Sequence, residues 1–208
     1  MSTNDRFISD VLQNRYNAVI LQRLYQLALP DAWLVAGCLF QTVWNLKSGK
    51  LPQVDIRDYD IFYFDDSDLS EAAETQVNIQ AAALFVDLGV LVEVKNQARV
   101  HTWYESYFGR PYTPLRSSCE GVDRFLVRCT SLGIRSVGDP VDQRYEVYAP
   151  NGLVDTYNGV LTPNIGFDNG ELYEPKCRDY QTRWPWLTVQ CAKSAITGSS
   201  PTCQTNPA

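Results

Sequence analysis

One histidine stands in 208 residues, and the six cysteines, at positions 38, 119, 129, 177, 191 and 203, include no Cys-x-x-Cys pair. A zinc centre needs Cys and His ligands at short spacings, so a Cys/His zinc site is excluded. A chain of this length can bury a real core without disulfides, so the thiols are expected to be reduced, as in a cytoplasmic protein. No apolar run reaches the roughly 20 residues of a membrane span. The opening "MSTNDRFISD" is polar and has no apolar signal segment. A basic excess is missing too: 18 Lys and Arg face 24 Asp and Glu, for a formal net charge of −6. That balance argues against a general nucleic-acid binder. It leaves room for a nucleotide held by metal ions and a few local cations.

What is present is ordinary globular composition, 45% hydrophobic and 20% charged. Twelve Tyr and five Trp can fill an interior and offer rings for stacking. Residues 5–29 have helical periodicity with a break near Asn14. "AWLVAG" (32–37) reads as a buried strand, with Gly37 letting the backbone turn into a helix over 38–49. "DYDIFYF" (58–64) is aromatic and β-branched, hence a strand. A helix capped by Ser67 or Asp68 follows to about Leu88, then a strand over 90–96 and a helical stretch over 98–109. A helix is expected over 117–130. "GIRSVGD" and "RYEVYAP" suggest two strands, "NGLVDTYNGVLTPN" a short helix and loop, and "ELYEPKCRDYQTRWPWL" a last helix broken by Pro185. One domain over 1–190 is expected, with its core at about 30–110, an extension over 111–190, and a disordered tail over 191–208. The alternation of strands and helices puts the chain in the α/β (α+β) class.

The unusual feature is acid inside a strand. Alternation puts Asp58 and Asp60 on one face and Tyr59 and Ile61 on the other. Two carboxylates on one face repel unless a cation lies between them, and Mg²⁺ is the hard, oxygen-seeking choice. Glu93, flanked by core-facing Val92 and Val94, supplies a third acid; alone it reads equally well as a salt-bridge partner. The strand–Gly37–helix turn offers backbone N–H groups to an anion. Lys95, Arg99 and His101 follow the third strand and are candidates for phosphate contacts, while Asn45, Asn96 and Gln97 could orient a base or sugar. Plainer readings stand beside these. Asp65, Asp66 and Asp68 suit a loop and a helix cap, His101 a packed side chain, and Arg99 a pair with a helix acid. Cys38 suits a small core position, and Trp184 and Trp186 suit packing of the last helix onto the sheet.

Taken together, "AGCLFQTVWN" (36–45), "DYDIFYFDDSDLSEAAE" (58–74), "VEVKNQARVHTWY" (92–104), "YAPNGLVD" (148–155) and "WPWL" (184–187) resemble a family of short nucleotidyltransferase-like proteins within the superfamily typified by DNA polymerase beta. The resemblance covers about residues 10–190. It implies a mixed β-sheet flanked by helices. It also implies a metal-dependent transfer of a nucleoside monophosphate from an NTP to a hydroxyl, with Mg²⁺ or Mn²⁺ on Asp58, Asp60 and Glu93 in a two-metal scheme. Gly37, Cys38, Lys95, Arg99, His101 and Asn45 would then contact the nucleotide. Cys38 departs from the superfamily's Gly or Ser at this place. A thiol is the weaker donor, so the triphosphate would lean on backbone amides. The stretch from Gly37 to Asp58 is also longer than in compact members of the superfamily. The acceptor is expected to be a small molecule or a protein, with tRNA ranked behind because of the acidic charge. Two other readings remain open: a nucleotide sensor of the same fold that has lost turnover, and a metal-dependent phosphohydrolase.

Overall fold

The computed structural model describes residues 2–138, 144–165 and 172–190. The first helical region is split at Asn14 into α1 (Thr3–Leu12) and α2 (Arg15–Arg23). Asn14 caps α2 by accepting from the Tyr16 N–H. Its amide, fully buried, donates to Thr42 Oγ1 (3.0 Å) and Tyr59 OH (3.3 Å). The break is therefore a buried polar joint.

A five-stranded mixed sheet forms the centre. Its strands are β1 (Trp33–Val35), β2 (Asp58–Tyr63), β3 (Leu91–Asn96), β4 (Gly133–Val137) and β5 (Arg144–Tyr148), in spatial order β3-β2-β1-β4-β5. β2 and β3 are parallel; the other three pairings are antiparallel. The parallel pair is joined through α4 (Glu71–Leu84), as a crossover requires. Ser70, not Ser67 or Asp68, caps α4; the Asp68 carboxylate instead accepts from the Ser70 N–H.

Alternation sorts the two faces. Leu34, Tyr59, Ile61, Tyr63, Val94 and Ile134 enter the main core with α1, α2 and α3 (Gly37–Lys47). The opposite face carries Trp33, Val35, Phe62, Asp58, Asp60, Glu93 and Lys95. Trp33 and Val35 are covered there by Val122 of α6 (Ser118–Val122) and by Phe125. The expected helix over 117–130 is thus only α6, followed by a 3₁₀ turn at Arg128–Thr130. Gly121 lies within it, packed against the Gln97 side chain.

α5 (Val100–Phe108) continues from β3 through a 3₁₀ turn. The C-terminal part adds α7 (Val154–Asn158), β6 (Val160–Leu161), α8 (Tyr173–Arg183) and β7 (Thr188–Val189). β6 and β7 pair in parallel, a small sheet that two-residue strands gave no pattern to foresee. Trp184 is fully buried and meets Trp44 edge to face at 5.3 Å, locking the end of α8 onto α3. The expected tail over 191–208 lies outside the described residues. No helix among the described residues is long and apolar enough to cross a membrane.

Candidate active site

Asp58, Asp60 and Glu93 come together through strand register. Asp60 stands directly beside Glu93 across the parallel pair, with Asp58 two residues back on the same face. Neighbouring strands lie about 4.8 Å apart, so the three acids occupy one small patch. All three are partly buried. Burial raises the Asp60 carboxyl to about 7, the Asp58 and Glu93 charges push it the same way, and Lys95 and Lys176 oppose them. Among the described residues, no three acidic, histidine or cysteine side chains converge closely enough to hold a metal ion as they stand. The donor set still suits a hard divalent cation: three carboxylates share a face, and one of them is destabilised by its like-charged neighbours.

The start of α3 borders this patch. The turn that feeds it is made at Ala36 rather than at Gly37: Ala36 has φ +60° and ψ −125°, a conformation costly for any residue with a side chain. Gly37 serves a different need, space. A Cβ there would come within 2.8 Å of Gln41 Nε2 and 3.8 Å of Asp58 Oδ1. The Gly37 and Cys38 N–H groups open the helix and have no intrahelical acceptor, so they present donors beside Asp58. The Cys38 side chain turns away. It is fully buried, its Sγ donates to the Val35 carbonyl, and burial with the nearby Asp60 and Asp58 charges drives its pKa well up. Any contact from Cys38 to a ligand is therefore through its backbone.

Two further side chains complete this edge. Gln41 lies one helical turn after Gly37, and its Oε1 accepts from Arg183 Nη1 (2.9 Å). Arg183, at the end of α8, also pairs with Asp179 (2.6 Å), and its buried Nε has no partner. Lys176, two turns earlier on α8, is near enough to act on Asp60. Gln41 could have been found from its i+4 spacing to Gly37; Arg183 is brought in by tertiary folding alone.

The remaining candidates separate. Lys95 is exposed on the same face as the acids, opposite Phe62. Arg99 is a buried ion pair with Glu74 (2.5 Å), and its Nε donates to the Leu69 carbonyl, so it braces α4 against β3. His101 sits on the flank of α5 with its Nδ1 buried and unpartnered. Asn45 is committed to the fold. Its amide donates to the Pro52 and Val54 carbonyls and its Oδ1 accepts from Trp184 Nε1, which leaves it nothing for a nucleotide. Asn96 is equally occupied, tying Asp65 and Ala98 to the end of β3.

Three comparisons bear on this arrangement. The profile of a family described as nucleotidyltransferase matches residues 22–189. A solved structure described as an NMR structure that reveals a CCA-adding enzyme head domain superposes with a TM-score of 0.70 at 25% identity, over 89% of this chain and 95% of that one. No curated protein sequence matches.

Proposed function

Because the chain belongs to the nucleotidyltransferase family, we propose that it moves a nucleoside monophosphate from an NTP to a hydroxyl acceptor, with Asp58, Asp60 and Glu93 at the reacting centre. Family membership carries enzymatic nucleotidyl transfer and an NTP substrate. The assignment to these residues rests on one observation: three acids brought to one face by register, beside a helix start with open N–H groups.

In this reading the Gly37 and Cys38 amides receive the triphosphate, where the α3 dipole favours negative charge. The Gln41–Arg183 pair and Lys176 border that end and add donors and positive charge. A divalent cation on the three carboxylates, drawn together by side-chain rotation, would neutralise the triphosphate and make the acceptor hydroxyl easier to deprotonate. Glu93 lies on the side of the patch away from α3, next to where an attacking hydroxyl must enter.

Thermal unfolding with each of the four NTPs, with and without Mg²⁺, tests the assignment. A ligand that binds only the folded state raises Tm by mass action. The wild type should show a Mg²⁺-dependent rise for at least one NTP, and Asp58→Asn and Asp60→Asn should each abolish it without disturbing the unliganded fold. Undiminished shifts in both variants would place the nucleotide elsewhere.

A further inference from the structure

Beyond the acids, the same face of β2 and β3 runs into a cavity of about 1070 Å³. Phe62 and Lys95 form its floor, each two residues along its strand from an acid, Asp60 and Glu93 respectively. Two residues of strand span about 6.6 Å, so a ligand in the cavity lies within reach of the acids. α5 supplies one wall through Trp103, Tyr104 and Tyr107, spaced so that one helical face is aromatic. None of these rings belongs to either hydrophobic core cluster, and Tyr107 is 78% exposed. Tyr104 extends this wall by meeting Tyr112 with tilted rings at 4.4 Å, and the Arg124 guanidinium lies 4.3 Å over the Tyr112 ring.

Charge also sets the cavity apart. Among the described residues, Lys95, Arg99, Arg110 and Arg124 line it alongside Glu71 and Glu74, with Arg99 and Glu74 paired to each other. Its described lining thus holds more cations than acids in a chain of net charge −6. Rings with cations behind them suit a planar ring carrying a negative group.

We propose that this cavity is the acceptor subsite, taking a small molecule that joins a hydroxyl, a planar ring and an anionic group. The proposal rests on the nucleotidyl-transfer reading above. In-line displacement puts the attacking hydroxyl and the leaving pyrophosphate on opposite sides of the α-phosphorus. The hydroxyl oxygen bonds to that phosphorus, the bond to the pyrophosphate oxygen breaks, and the hydroxyl proton is released. With the triphosphate at the start of α3, the acceptor must come from beyond Asp60 and Glu93, where the cavity lies. A volume just above the roughly 300–1000 Å³ usual for small-molecule sites accommodates such a compound. A long polymer would need many phosphate contacts along the surface, and the acidic remainder of the chain does not offer them.

Calorimetric titration of the full chain with AMP, CMP, GMP and UMP, without Mg²⁺, probes the cavity; the Mg²⁺–NTP thermal shift probes the catalytic face. At least one monophosphate should bind the wild type and Asp58→Asn alike. Its affinity should fall tenfold or more in Tyr104→Ala and in Tyr107→Ala, whose exposed side chain can change without risk to the fold. The Mg²⁺–NTP shift should survive both cavity variants. Monophosphate affinity that is absent, or unchanged in both variants, would overturn the proposal. Loss of the Mg²⁺–NTP shift in the cavity variants would make this the NTP's own base pocket, overturning the acceptor role while the transfer reading stands. Binding of a short single-stranded RNA with no monophosphate binding would overturn the small-molecule class. A wild type with no Mg²⁺–NTP shift but cavity-dependent monophosphate binding would overturn the transfer reading, and the acceptor role with it.

Discussion

Ala36 holds φ +60° and ψ −125° in the turn between β1 and α3, where glycine would be at ease. Such a residue costs on the order of 1–3 kcal/mol. Ala36→Gly removes that strain but adds about 0.5–1 kcal/mol of unfolded-state entropy. The net expectation is a gain of about 1 kcal/mol, or a Tm higher by roughly 2–4 °C for a chain of this size; an unchanged or lower Tm would contradict the strained turn. Asp60 gives a second prediction. Its folded pKa, about 7, lies above the ordinary value of 3.8. Between those values the folded state binds the proton more tightly, so stability is fully present below about pH 4 and is lost as pH rises through 7. At about 1.4 kcal/mol per unit the shift amounts to a few kcal/mol at most. Urea unfolding in a chelator at pH 5 and pH 8 should therefore show Asp60→Asn gaining on the wild type at the higher pH. A constant gap would mean that Asp60 is not held in the environment described.

Helices α1, α2 and α3 are joined by polar side chains as much as by apolar ones. Asn14 reaches Thr42 and Tyr59; the Asn17 amide donates to the Val11 and Cys38 carbonyls; Thr42 Oγ1 donates to the Cys38 carbonyl at 2.6 Å. This network fixes the end of α3 that faces the acids. Asn14→Ala removes the α2 cap, worth about 1 kcal/mol, and leaves buried partners unsatisfied at about 1–3 kcal/mol. A loss of roughly 2–4 kcal/mol in denaturant unfolding is expected, and a loss under 1 kcal/mol would show that water replaces the amide. The break at Asn14, the helix over 38–49 and the strands β2 and β3 were legible because each has a local cause: a cap, a helical periodicity, a run of strand-forming residues. The stretch 117–130 was not, because Gly121 and the packing of Gln97 against it are long-range matters.

Across the whole molecule, the C-terminal third completes the core laid down by the first half. β4 takes the free edge of β1, and Leu132, Ile134, Tyr173, Tyr180 and Trp184 are buried among residues of α1 to α3. Residues 30–110 therefore lack the partners that would close their own core. A fragment ending at residue 110 should show no cooperative unfolding transition. Trp184→Ala in the full chain should cost about 3–5 kcal/mol, the usual penalty for emptying a large aromatic site. A cooperative fragment would mean that the return of the chain is an addition rather than part of the fold.

Alternation by itself determined that Asp58 and Asp60 share a face and that Glu93 faces away from the core, since side-chain period on a strand is a local property. It could not determine which strands are neighbours. Register made Asp60 and Glu93 a pair, and folding brought Arg183 to Gln41 across 142 positions of chain. Asn45 and Arg99 read as candidate ligand contacts, Arg99 with a helix acid as its alternative partner, because polar residues near a motif carry no mark of their partners. Only the packed structure shows them occupied by Trp184 and Glu74, because a hydrogen bond or ion pair is decided by distance in space, not by position along the chain.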